Sequence, residues 1–271
     1  RVLERRTDGY HGIESLFQRV SLADELSIER SGPDGVSEVI SPLMGLPPIN
    51  TVTRAIEEFR RETGVPSGLR VTLTKRVPAG AGLGGGSSDA AAVLRGLDSL
   101  FDAGLSQAAL ACMAARIGSD VPFFLSGPAA LVKGRGEIVS PIPARDDLFG
   151  VLIWPGVASS TVEAYALVDE WTAQSGAGGT WPRAADLPAL YRGPVSGWPF
   201  RNSFTAPIAS RYPIIGEALA ALRESGADFA EMSGSGSAVF GLFSSKKEAD
   251  AAYNRLSARW QQCVPFLLLA S

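Results

Sequence analysis

The sequence predicts an α+β fold in two lobes, on three observations. Apolar residues recur at helical spacing in some segments and at strand spacing in others. The two kinds are mixed, without the regular alternation of a doubly wound sheet. A chain of 271 residues, 45 % hydrophobic and 20 % charged, has the length and composition for two modest cores. The same composition removes several functions. With 25 Lys+Arg against 28 Asp+Glu the net charge is −3, which argues against a general nucleic-acid binder. No apolar run approaches the ~20 residues that span a bilayer, so no membrane association is expected. Cys112 and Cys263 lie far apart without a CxxC partner, which excludes a disulfide framework and a structural zinc site. Both thiols are read as buried in a reducing compartment, and the protein as cytoplasmic. His11 is the sole histidine, so a Ser-His-Asp triad or a histidine-rich metal site would have to run through it alone.

The elements follow in order. Gly12 to Ile28 mixes strand-like and turn-like signals, and residues 31–50, rich in Gly and Pro, read as loop. From Thr51 the apolar residues Val52, Ala55, Ile56 and Phe59 share a helical face that Gly64 terminates. Residues 69–75 alternate Leu69, Val71 and Leu73 with polar positions, a half-buried strand. Helices are expected from about Ser87 to Leu100 and over 106–118, then strands at 122–125, 129–133 and 149–155. Thr161 to Trp171 reads as helix. Residues 173–201, which carry Trp181, Tyr191 and Trp198, read as a long irregular insertion. Tyr212 to Ser225 is helical, 229–243 is strand, glycine turn and strand, Ser245 to Trp260 is helix, and 264–270 closes as a strand. The lobe boundary falls near 143–149, dividing the chain into residues 1–145 and 146–271.

The most informative stretch is Pro78-Ala79-Gly80-Ala81-Gly82-Leu83-Gly84-Gly85-Gly86-Ser87-Ser88. Five of its first nine residues are glycine, and a good helix follows. Glycine lets successive N–H groups turn inward, and the positive end of the helix faces the same point, which makes an anion site. Ser87 and Ser88 add hydroxyls for phosphate or a metal ion. A plain linker or tight turn is one alternative, although it would not need so much glycine directly before a strong helix. Gly80, Gly82 and Gly85 literally fit G-x-G-x-x-G, but the second strand and acid of a dinucleotide fold do not follow. A Walker A loop needs a Lys after the glycines, and none is there.

This stretch resembles the phosphate-binding motif of the GHMP kinase superfamily. Arg6-Thr7-Asp8-Gly9-Tyr10-His11, Gly118-Ser119-Asp120-Val121-Pro122-Phe123-Phe124 and Ser233-Gly234-Ser235-Gly236-Ser237 resemble further segments of a branch of it, in the same order and over most of the chain. The resemblance implies the two-lobed GHMP kinase fold with its active site in the cleft, and an ATP-dependent small-molecule kinase of isoprenoid precursor synthesis whose acceptor carries a cytidine. Residues 1–145 would be the ATP-binding lobe and 146–271 the substrate side. It implies ATP over residues 78–88, with Lys75 and Asn50 at the nucleotide and Mg²⁺ on the ATP phosphates, not held by side chains. Asn50, just before a helix, also reads as an N-cap, and Lys75 as a solvated strand-end charge. Asp120 would be the base or orienter of the acceptor hydroxyl, held against an apolar run that raises its pKa; a helix-cap role is the alternative. Its partner Lys belongs to an Ala-Lys-x-Asn segment expected upstream of Arg1. For the substrate, Tyr10 would stack on the cytosine, His11 bond its edge, Tyr165 close its other face and Thr161 bind its polar part. Asn202 resembles the Asn of a family Asn-Asp pair, with Ser203 in place of the Asp. The 233–237 turn would fold over the site beside the phosphate loop, or be a simple hairpin. A monomer or weak homodimer is expected. Two other functions stay open: a kinase of the superfamily with a different acceptor, and a non-catalytic nucleotide-binding protein on the same scaffold.

Overall fold

The computed structural model describes residues 1–42, 45–175 and 180–270. In chain order the first half runs β1 (Val2–Arg5), β2 (His11–Gln18), β3 (Glu25–Arg30), β4 (Ser37–Ile40), α1 (Thr51–Thr63), β5 (Leu69–Thr74), α2 (Gly85–Phe101), α3 (Gln107–Ile117), α4 (Val121–Ser126), β6 (Ala129–Gly134) and β7 (Ile138–Pro141). The second half runs β8 (Phe149–Ile153), α5 (Thr161–Ser175), α6 (Leu187–Arg192), α7 (Thr205–Arg211), α8 (Pro213–Glu224), β9 (Phe229–Met232), β10 (Val239–Phe243), α9 (Lys246–Ser257) and β11 (Cys263–Leu267).

The first half builds two sheets, β1-β2-β6-β7 and β3-β5-β4; the second builds one, β11-β8-β10-β9. The β3-β5-β4 sheet packs on α1 to α4. Leu69, Val71 and Leu73 alternate inward from β5 and meet Val52, Ala55, Ile56 and Phe59 of α1 in one buried cluster with Leu94, Leu97 and Met113. Fully burying a side chain such as Phe59 contributes about 1.5–3 kcal/mol. Asn50 caps α1 reciprocally: its Oδ1 accepts from Val52 N (2.9 Å) and Thr53 N (3.0 Å), while its own N–H donates to Thr53 Oγ1 (2.9 Å). The C-terminal sheet has two covered faces. One lies under α8 and α9 through Val151, Ile153, Ile215, Leu222 and Phe243. The other holds Leu152, Leu242 and Phe266 together with Ala81 of the glycine loop. The halves are also joined by a bridge between Val20 and Leu268 and by Leu269 N to Arg19 O at 3.0 Å.

Several expectations need correction. Residues 122–125 are not a strand but lie in α4, with Pro122 in its first turn where the missing N–H does no harm. A run buried at four of six positions has no period to separate strand from helix. Residues 31–50 are not all loop: β4 lies parallel to β5, too short for its alternation to register. The 173–201 stretch is not irregular throughout. It contains the end of α5, α6 and a 3₁₀ turn at Val195–Gly197, while residues 176–179 lie outside the described residues. Tyr191 stacks on Trp198 (centroids 5.5 Å), and the Arg145 guanidinium donates to the carbonyls of Tyr191 (2.8 Å) and Gly193 (2.7 Å). Cys263 is buried, but Cys112 is exposed, because α3 buries Leu110, Met113, Ala114 and Ile117 on the opposite face.

Candidate active site

The glycine loop leaves β5 at Lys75 and enters α2 at Gly85, two residues before the expected start. Gly80, Gly82 and Gly84 have φ of +66°, +74° and +69°, the region where a Cβ is strained. Gly84 occupies the N-cap position with no side-chain cap, and the first helical bond is Ser88 N to Gly84 O (2.9 Å). The N–H groups of Gly85, Gly86 and Ser87 precede that bond and form the donor end of a helix. The loop lines a cleft of about 1610 Å³ whose walls come from both halves of the chain.

Its base is a buried ion cluster. Lys75 Nζ pairs with Asp24 and, at 2.9 Å, with Asp89 Oδ2. Asp24 Oδ1 accepts from Arg76 N (2.5 Å) and Val77 N (2.8 Å), which fixes where the loop departs. Burial pushes the Asp89 carboxyl up to about 6 despite the ammonium beside it. Burial acts the same way on Asp24, but Lys75 and the two amides outweigh it and hold that carboxyl below its usual range. Lys75 is therefore not a solvated strand-end charge. The Asn50 oxygen, for its part, is engaged in capping.

A second glycine turn lies on the first. Ser233 Oγ donates to Gly82 O (2.8 Å) and Ala238 N to Ala81 O (3.0 Å). A Cβ on Gly82 would stand 2.8 Å from Gly236 N and against the Ser233 carbonyl. The 233–237 turn is thus part of the cleft wall. Thr161 Oγ1 meets Ser235 Oγ across it at 3.3 Å.

Asp120 is half-buried at the N-cap position of α4 and makes no side-chain cap bond. The helix-cap alternative therefore does not use its carboxylate. Burial pushes its pKa up. Phe124, one turn along the same helix face, packs on Gly84, so the Asp120 side of α4 abuts the glycine loop.

His11 and Tyr165 are brought face to face, with ring centroids 5.1 Å apart and planes 13° apart. Phe204 meets Tyr165 edge-on at 5.0 Å. His11 Nδ1 lies 3.0 Å from the Leu3 carbonyl, which can only accept, so Nδ1 carries the proton. Nε2 lies 3.3 Å from Asp169 Oδ1. Tyr10 is 58 % exposed, with the Arg135 guanidinium 4.9 Å from its ring centre. Sequence reasoning missed Arg135, Asp24 and Asp89. Arg135 sits at the tip of the β6–β7 hairpin beside Gly136, whose Cβ would stand 2.8 Å from Asp120 Oδ1. A cation in a tight Gly-Arg-Gly turn was the available signal.

One cleft thus gathers a glycine loop at a helix N-terminus and a carboxylate that makes no hydrogen bond among the described residues. The GHMP kinases N-terminal domain matches residues 50–128 and the GHMP kinases C-terminal domain residues 189–262. A 4-diphosphocytidyl-2-C-methyl-D-erythritol kinase of Treponema pallidum is 46 % identical over 265 residues, 96 % of this chain and 91 % of that protein. One from Geobacter metallireducens is 40 % identical over 260 residues, covering 93 % and 87 %. A crystal structure of 4-(cytidine 5'-diphospho)-2C-methyl-D-erythritol kinase superposes with TM-score 0.83 at 36 % identity, covering 98 % of this chain and 94 % of that one. The chain belongs to the GHMP kinases, ATP-dependent enzymes acting on small molecules, and among them to the 4-diphosphocytidyl-2-C-methyl-D-erythritol kinase family. Among the described residues, no helix is long and apolar enough to cross a membrane.

Proposed function

We propose that this protein transfers the γ-phosphoryl group of ATP to the 2-hydroxyl of 4-diphosphocytidyl-2-C-methyl-D-erythritol, a step toward isoprenoid precursors in the cytoplasm. The observation that carries the reading is one cleft holding the α2 donor end, the Asp120 carboxylate and the His11–Tyr165 pair. Residues 1–145 supply the donor site and Asp120, and residues 146–271 close the cleft.

Phosphoryl transfer needs positioning and charge neutralisation more than covalent help from the protein. The amides of the 78–88 loop and of the first turn of α2 hold the triphosphate. Asp120 orients the acceptor hydroxyl and takes its proton as the new O–P bond forms and the bond from the γ-phosphorus to the departing ADP breaks. The carboxylate makes no hydrogen bond to another described residue, which leaves it free for that contact. Tyr10, the exposed ring, stacks on the cytosine. His11, backed by Tyr165, reads the base edge through Nε2, which exchanges its Asp169 contact for the base while Nδ1 stays on the Leu3 carbonyl. Arg135 offers positive charge to the substrate diphosphate and Thr161 a hydroxyl. Lys75 acts on the nucleotide from within its ion cluster, and Asn50 by placing α1 against the loop. No group of three or more His, Cys, Asp or Glu among the described residues is placed to hold a metal ion. The hydroxyl of Ser87 at the loop fits a Mg²⁺ held mainly by phosphate oxygens and water, which would neutralise phosphate charge.

The test is ATP turnover by the full-length protein with the cytidyl substrate, mevalonate or homoserine as acceptor. Turnover with the cytidyl substrate alone is expected. Preference for another acceptor would overturn the substrate, and absence of turnover with all three the reaction.

A further inference from the structure

The phosphate loop is oriented from the opposite half of the chain. The Ala81 carbonyl accepts from Ala238 N–H (3.0 Å) and the Gly82 carbonyl from the Ser233 hydroxyl (2.8 Å). A trans peptide is planar, so its C=O and N–H point in opposite directions. Drawing these two carbonyls toward the 233–238 turn therefore turns the N–H groups of Gly82 and Leu83 away from it. Inward-turned amides are what an anion needs at such a loop.

The place of that turn is set by Asn202. Its Nδ2 donates to the carbonyls of Met232 (2.9 Å) and Gly234 (2.7 Å), the two residues that flank Ser233. Its Oδ1 accepts from Phe204 N (3.0 Å), which anchors it at the start of α7. Its backbone N–H donates to Glu231 Oε2 (3.2 Å), while Glu231 Oε1 takes the Thr205 hydroxyl (2.5 Å) and Met232 N (2.9 Å). Both side-chain N–H donors are spent on the turn, which leaves none for a ligand.

We propose that Asn202 is a positioning residue for the phosphoryl donor: it clamps the Met232–Gly234 backbone so that Ser233 and Ala238 keep the Gly82 and Leu83 amides aimed at the triphosphate. This rests on the assignment of the 78–88 loop as the ATP site.

Two variants test it. Asn202→Asp keeps the shape but sets a carboxylate against two carbonyls, and Ser233→Ala removes a single hydroxyl. Calorimetry on the full-length protein gives Kd for a non-hydrolysable ATP analogue and for the cytidyl substrate, with Tm measured alongside. Asn202→Asp is expected to weaken the analogue at least about tenfold. Ser233→Ala is expected to weaken it about three- to tenfold, which corresponds to one neutral hydrogen bond. The cytidyl Kd stays within about twofold in both. Unchanged analogue affinity overturns the proposal. So does an equal loss for both ligands, the mark of general structural damage. If Asn202→Asp does not fold, Ser233→Ala decides by the same criteria. A wild-type protein that fails to bind the analogue overturns the loop assignment itself, and this proposal with it.

Discussion

Gly80 and Gly82 form a matched pair within one loop. Both sit in the left-handed region, at φ +66° and +74°, so an alanine at either pays a similar backbone cost of about 1–2 kcal/mol. Their surroundings differ. A Cβ on Gly80 meets nothing within 4 Å, whereas one on Gly82 stands 2.8 Å from Gly236 N and 2.9 Å from Gly236 O. Backbone cannot rotate aside as a side chain can, and overpacking of this kind costs about 1–3 kcal/mol more. Gly82→Ala is therefore expected to unfold below Gly80→Ala by roughly 2–12 °C, from about 2–4 °C per kcal/mol for a chain of this size class. The second consequence is local. Parting the two glycine turns breaks the bonds that hold the loop carbonyls, so Gly82→Ala also loses ATP-analogue affinity. Thermal melts and analogue titrations of the two variants, run in parallel, read both effects. If Gly82→Ala matches Gly80→Ala in melting temperature and in affinity, the interlocked turns do not constrain the loop and the reasoning fails.

Three other outcomes are expected. Asp120→Asn lowers kcat by about 10²–10⁴-fold while analogue binding survives; steady-state kinetics showing full activity would remove this carboxylate from the reaction. Asp89→Asn alters stability against pH. The folded-state carboxyl is raised from 3.8 to about 6, so its contribution is fully present below 3.8 and is lost as pH rises through about 6. Wild type should lose stability relative to the variant between pH 4 and 7, and urea melts in which the two curves run parallel would refute this. His11→Ala raises KM for the cytidyl substrate at least about tenfold and leaves KM for ATP nearly unchanged; equal changes in both constants would mean that His11 supports the cleft generally.

The parts of the fold legible in the sequence were local. The α1 face and the alternation of β5 follow from spacing alone, and the glycine loop from composition placed directly before a helix. What was illegible depends on distant partners. Ser233 and Gly82 are 151 positions apart, and Lys75 and Asp24 are 51 apart. No periodicity carries such pairings. His11 and Tyr165 were both singled out, yet as separate contacts to a base; that they stack on each other is a property of β2 and α5 meeting in space. Asn202 looked weakened by the Ser beside it. The structure gives Ser203 another task, accepting Val2 N at 3.0 Å, and leaves Asn202 fully engaged. The 122–125 segment differs for another reason: with burial on nearly every side, hydrophobicity has no period that reports direction.

The uncapped start of α4 bears on how this protein should be engineered. The Asp120 carboxylate makes no cap bond and lies half-buried with its ionisation disfavoured. At neutral pH an asparagine at position 120 would avoid the cost of burying a charge there and so favour the folded state. With Asp120 as the acceptor-orienting group proposed above, a screen for heat resistance alone would favour its replacement at the expense of turnover. On that assignment each round of selection needs an activity filter, because the group proposed for the chemistry is one whose burial costs stability.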